Sequence, residues 1–139
     1  MFSTGTGSFK ATINQGASPP NITFELTYSN LSAPATIAHI HFGNRFTSGG
    51  IAVWLCGGGG RPACPAGNTA TEATVTGTIV PADVLALQGI PAGGFDQLVK
   101  AIRAGVTYAN VHTSTFPGGE IRAQINNRNQ RQFDHDSQH

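Results

Sequence analysis

Charge is scarce in this chain. Asp, Glu, Lys and Arg make up 11% of its 139 residues, against about a quarter in an ordinary globular domain, and they nearly cancel, leaving a net charge of +1. No basic stripe interleaved with aromatics is present, so the electrostatic footprint of a nucleic-acid binder is missing. No apolar run approaches the roughly 18 residues of a membrane-spanning helix. Met occurs only as Met1, which argues against the soft-ligand design of a copper shuttle. Catalytic signatures are also lacking. There is no Gly-x-Ser-x-Gly and no free cysteine beside a histidine, and Gly57 to Gly60 are not followed by the Lys-Ser/Thr that phosphate binding needs.

Cysteine is nearly absent as well. Cys56 and Cys64 bracket the stretch Gly57-Gly58-Gly59-Gly60-Arg61-Pro62-Ala63. A disulfide there closes a small ring and contributes about 2–3 kcal/mol in the chain-entropy picture. The competing reading, a pair of thiolate metal ligands, lacks both a C-x₂-C spacing and further cysteines. A disulfide points to an oxidising compartment. Met1-Phe2-Ser3-Thr4-Gly5 has neither the basic region nor the apolar core of a signal peptide, so the expectation is a periplasmic or secreted protein whose leader has been removed.

What the chain does have is short alternating segments separated by turns. Ile22, Phe24, Leu26 and Tyr28 alternate with Thr23, Glu25 and Thr27, the clearest period-2 pattern present. Phe9 to Ile13, Thr36 to Phe42, Ile51 to Leu55, Thr71 to Val80, Val106 to Thr113 and Gly119 to Ile125 also read as strands. Gly16-Ala17-Ser18-Pro19-Pro20 reads as a turn, because two prolines do not fit a central ladder. Asn44 to Gly50 reads as a loop. Two helical pieces interrupt the strands. Pro81 to Leu87 predicts one or two turns started by a first-turn proline. Phe95 to Ala104 predicts a helix, with Phe95, Leu98, Val99 and Ile102 at i, i+3, i+4 and i+7 and Gly105 beyond its end. The fold class is therefore all-β: an antiparallel, Greek-key-like sandwich or barrel over residues 1–125 with one short helical insertion. Residues 126–139 are polar and aperiodic and read as a mobile tail.

The sharpest chemical feature is Ala38-His39-Ile40-His41-Phe42-Gly43. On a strand, His39 and His41 share one face while Ala38, Ile40 and Phe42 share the other. Their Cα atoms are about 7 Å apart, close enough for two imidazoles to lean towards one ion. In Tyr108-Ala109-Asn110-Val111-His112-Thr113 the same alternation groups Tyr108, Asn110 and His112, and His112 completes a three-imidazole set if the strands are neighbours. Imidazoles suit copper and zinc, and copper binds more tightly than the other divalent first-row ions. Asn110, Glu120, Arg122 and Gln124 are candidates to orient the rings through their second nitrogens, the last three sharing a face if Gly119 starts a strand. Their structural reading is a solvated face, or a Glu120–Arg122 network that pins a hairpin. His135 and His139 offer a weaker metal-binding segment in the tail. Tyr108 and Trp54 could be redox-active or stack on a substrate, but aromatics in strands usually belong to the core, and they read so here.

Three blocks together resemble the CHRD domain, a module named after chordin and common in bacterial exported proteins. They are Ala38-His39-Ile40-His41, Tyr108-Ala109-Asn110-Val111-His112-Thr113, and Pro117-Gly118-Gly119-Glu120-Ile121-Arg122-Ala123-Gln124. The resemblance implies a β-sandwich in an extracytoplasmic setting, and little about activity. One departure is Gln15-Gly16-Ala17-Ser18-Pro19-Pro20, where the family often has Glu-Val-Pro-Pro. The pattern is more loosely similar to the copper/zinc superoxide dismutases, with His39 and His41 as a His-x-His, His112 as a later ligand and Arg122 as an arginine beside the copper. Bridging-histidine and zinc-ligand counterparts are missing.

These readings converge on an exported protein holding one copper ion (zinc the alternative) through His39, His41 and His112. Its use is left open between copper carriage and redox chemistry on superoxide or another small oxidant by a dismutase-like copper oxidoreductase. The reading from a different class is a metal-free extracellular binding or matrix module that recognises a protein or polysaccharide. A metal-independent hydrolase is a distant third.

Overall fold

The computed structural model describes residues 3–43, 50–86 and 91–125. Its strands are β1 (Thr6–Asn14), β2 (Asn21–Ser29), β3 (Ala35–Phe42), β4 (Ile51–Cys56), β5 (Ala73–Ile79), β6 (Thr107–Thr113) and β7 (Ile121–Ile125), with one α-helix, α1 (Phe95–Arg103). They form two antiparallel sheets, one ordered β1-β2-β5 and the other β4-β3-β6-β7. The all-β sandwich with one short helix is thus the observed architecture.

The alternation in β2 determines how the first sheet packs. Ile22, Phe24, Leu26 and Tyr28 are buried while Thr23 and Glu25 face solvent, and Phe9 of β1 stacks on Phe24 with centroids 6.0 Å apart. From the second sheet, Ala38, Ile40, Ala109 and Val111 complete the core. Helix α1 adds Phe95, Leu98, Val99 and Ile102 to the core, the residues its 3.6-residue period selects. Burial of these side chains contributes about 25 cal/mol per Å² of apolar surface removed from water.

Two local expectations change. The Pro81 segment makes only a single 3₁₀ turn, Pro81–Asp83, because the Val84 backbone is already extended (φ −81°, ψ 122°). Val84 enters the core and the Leu85 N–H donates to the Ala52 carbonyl of β4, so tertiary contacts take over where a helix would have continued. The last strand starts at Ile121 and not at Gly119, since Gly119 has φ +119° and Glu120 is drawn into a separate hydrogen-bond knot. The expected Asn44–Gly50 loop (apart from Gly50), Leu87 and the tail lie outside the described residues.

That knot links three separate segments of the sandwich. The Glu120 carboxylate, 2% exposed, accepts hydrogen bonds from the Ser3 hydroxyl, the Ser32 N–H (2.7 Å), the Ser32 hydroxyl (2.8 Å) and the Thr113 hydroxyl (2.8 Å). It ties together the N-terminal segment, the β2–β3 connection and the β6–β7 hairpin. Burial alone would raise its pKa, but these four donors bring it below the usual carboxylate range.

Candidate metal centre

The pairing of β3 with β4, β6 and β7 decides what faces the histidines. His39 lies opposite Trp54 on one side and Asn110 on the other, Asn110 lies opposite Arg122, and His41 lies opposite Tyr108. Residues directly opposite in an antiparallel pair project from the same face. Trp54, His39, Asn110 and Arg122 therefore form one cross-strand row, and His41 with Tyr108 starts the next. His112 sits opposite Ile37, diagonal to His39.

The three imidazoles meet. His39 contacts His41 and His112 edge-on, with centroids 4.5 and 4.7 Å away. Each ring offers a nitrogen, and these donor atoms lie within 4.8 Å of one another. Two metal–nitrogen bonds of about 2.0–2.1 Å span at most about 4.2 Å between donors, so small ring rotations bring the set onto one ion. His39, His41 and His112 are 2%, 9% and 8% exposed, and every residue of β6 is buried. This outward face is not the solvated surface that alternation would suggest.

Each ring has a distinct environment. The Pro117 carbonyl lies 2.7 Å from His112 Nδ1; the tautomer that donates to it has its lone pair on Nε2, the arrangement metal-bound histidines favour, whereas the Nε2–H tautomer donates to Asn110 Oδ1 instead. Nε2 is at present 3.0 Å from Asn110 Oδ1. His41 stacks face to face on Tyr108 at 4.9 Å, and the Arg122 guanidinium lies 4.5 Å from the Tyr108 ring. His39 contacts Trp54 edge-on at 4.9 Å, and its Nδ1 is buried with no hydrogen-bond partner. Burial first, then the neighbouring His41 and His112, lowers the His39 pKa to about 3, with a hydrogen bond to Asn110 acting in the opposite direction. His39 is thus neutral, and its lone pair is available, at any physiological pH. A buried nitrogen without a protein partner is costly, and a cation is one group that would satisfy it. The residues present fit a metal ion.

The other sequence candidates divide. Asn110 and Arg122 are beside the histidines; Glu120 is not. Both of its oxygens accept hydrogen bonds from Ser3, Ser32 and Thr113, which commits the carboxylate to that knot. The Gln124 side chain, His135 and His139 lie outside the described residues. Cys56 and Cys64 form a disulfide, which removes thiolate ligation as an alternative. Trp54, expected in the core, is instead only partly buried and stands on the histidine face, because strand register and not local sequence decides its neighbours. The Pro117 carbonyl went unnoticed in the sequence, since its placement depends on a turn with no local signature.

An antiparallel β-sandwich carrying a buried histidine cluster on one sheet is the class this geometry defines. The CHRD domain matches residues 2–125, and the chain belongs to the CHRD domain family. No curated protein and no solved structure gives a significant match. The CHRD domain is an extracellular-type module, which the disulfide fits, and no helix among the described residues is long and apolar enough to cross a membrane.

Proposed function

We propose that this chain is an exported, periplasmic or secreted copper-binding protein that holds one ion through His39, His41 and His112. The observation that carries the reading is the convergence of three imidazole donors within 4.8 Å, on a buried face where His39 Nδ1 has no hydrogen-bond partner. An all-imidazole donor set favours copper over the other divalent first-row ions, with zinc the alternative. Bound copper supplies one-electron redox chemistry, of which superoxide dismutation is the simplest case. The chain's own residues supply the rest. The Pro117 carbonyl orients His112, Tyr108 braces His41, and Arg122 places a positive charge beside the cluster, which favours an anionic small oxidant.

The test is copper titration of the metal-stripped protein followed by electron paramagnetic resonance, alongside His39→Ala/His41→Ala. One tight Cu(II) per chain with nitrogen hyperfine structure, lost in the double variant, supports the site and calls for superoxide and peroxide assays. Binding that survives the double variant but disappears on truncation after Ile125 moves the copper to His135 and His139. No tight binding refutes the proposal and leaves a metal-free module that recognises a protein or polysaccharide.

A further inference from the structure

Trp54 and the disulfide ring behind it belong to one assembly. The indole lies opposite His39 and contacts it at 4.9 Å. On Trp54 rests the glycine run. A Cβ built on Gly58 would come within 2.7 Å of the indole, and one on Gly59 within 2.3 Å. Gly57 is pressed as closely onto β3, where a Cβ would lie 2.3 Å from the Thr36 carbonyl oxygen. Only residues without side chains allow this approach, and Gly57 and Gly59 also have positive φ (82° and 62°). The loop is closed by the Cys56–Cys64 bond, by Gly57 N–H donating to the Pro62 carbonyl (2.8 Å) and by Arg61 N–H donating to the Gly58 carbonyl (3.1 Å). A stretch with four consecutive glycines gains its single shape from that ring and from the indole beneath it.

We propose that this ring is a thiol-sensitive clamp on the histidine cluster: while the disulfide is closed, Gly58 and Gly59 hold Trp54 against His39, and opening it releases the indole and weakens metal binding. The inference rests on the histidine site proposed above. Trp54 is a positioning residue, acting through the His39 ring. Cys56 is fully buried and Cys64 partly exposed, so an external dithiol attacks the Cys64 sulfur. The Cys56–Cys64 bond breaks, both cysteines become thiols, and the dithiol is oxidised to its own disulfide, two electrons and two protons passing to the protein.

The experiment uses cobalt(II), whose ligand-field absorbance reports binding without redox chemistry, and the emission of Trp54, the only tryptophan in the chain. The key pair is Gly59→Ala and Gly60→Ala. Both glycines have positive φ, but a Cβ on Gly60 meets nothing within 4 Å, so it carries the backbone strain without the collision. Gly59→Ala and Cys56→Ser/Cys64→Ser are expected to weaken cobalt binding by about tenfold, the scale of losing a group that orients a ligand. Both should also make Trp54 more accessible to acrylamide quenching, and Gly60→Ala should match the unsubstituted protein on both readouts. In the metal-free unsubstituted protein, dithiol treatment should reproduce the rise in quenching while circular dichroism retains the β-sheet signal. Equal behaviour of Gly59→Ala and Gly60→Ala, or unchanged quenching after reduction, overturns the clamp. If the unsubstituted protein binds neither cobalt nor copper, the metal site fails by itself and the quenching data still decide whether the ring holds Trp54.

Discussion

Glu120→Gln isolates the charge of the buried knot while almost preserving its shape. The carboxylate accepts four hydrogen bonds, from Ser3, Ser32 (twice) and Thr113. A carboxamide keeps one carbonyl oxygen for the Ser32 N–H and Ser3, and turns its NH₂ towards the Ser32 and Thr113 hydroxyls, which can rotate to accept. What disappears is charge assistance. A hydrogen bond to a charged group contributes about 1.5–3 kcal/mol against about 0.5–1.5 for a neutral one, so weakening four such bonds predicts a loss of at least about 2 kcal/mol at pH 7. The pH dependence gives a second check. Because the folded pKa of Glu120 lies below its ordinary value of 4.5, its contribution is complete above that value and fades as pH falls through the lower folded value. Urea unfolding of the two proteins should therefore show a gap that is constant from pH 7 to about 5 and shrinks towards pH 3. His39 also loses stability towards acid, between 6.5 and about 3, as the unfolded chain takes up a proton that the folded ring refuses, but it does so in both proteins and cancels. A variant as stable as the parent, or a gap that persists undiminished at pH 3, refutes the reasoning. Cobalt binding should be unchanged in Glu120→Gln, because that carboxylate is committed elsewhere.

Other expectations follow from the same contacts. Copper(II) added to the metal-stripped protein should quench Trp54 emission stoichiometrically, since the indole touches a proposed ligand ring, and His39→Ala/His41→Ala should abolish the effect; emission that ignores copper argues against the placement. Gly67→Ala combines a φ of +66° with a Cβ 2.2 Å from the Tyr28 ring, and should lower unfolding free energy by more than about 2 kcal/mol in denaturant titration. Phe24→Ala removes a buried ring stacked on Phe9 and should cost about 3–5 kcal/mol, read as a lower Tm. Cys56→Ser/Cys64→Ser should cost about 2–3 kcal/mol and leave a folded sandwich, checked by circular dichroism.

Local periodicity determined most of the architecture before any coordinates. Period 2 located the strands, a single period of 3.6 located α1, and each pattern marks its own buried face because side-chain direction depends only on backbone geometry. The same rule placed His39 with His41, and Asn110 with His112, on common faces. Alternation within a strand says nothing about which strand lies alongside or how it is staggered. Only the tertiary structure brought β6 against β3 so that His112 meets His39, and β4 against β3 so that Trp54 meets the same ring. It also took Glu120 away from the cluster, since Ser3 and Ser32 are 117 and 88 residues distant in sequence. The glycine run shows the division most clearly. Its composition announces backbone freedom, but the reason that freedom is needed, an indole lying 2.3 Å from where a side chain would begin, exists only once the fold has closed.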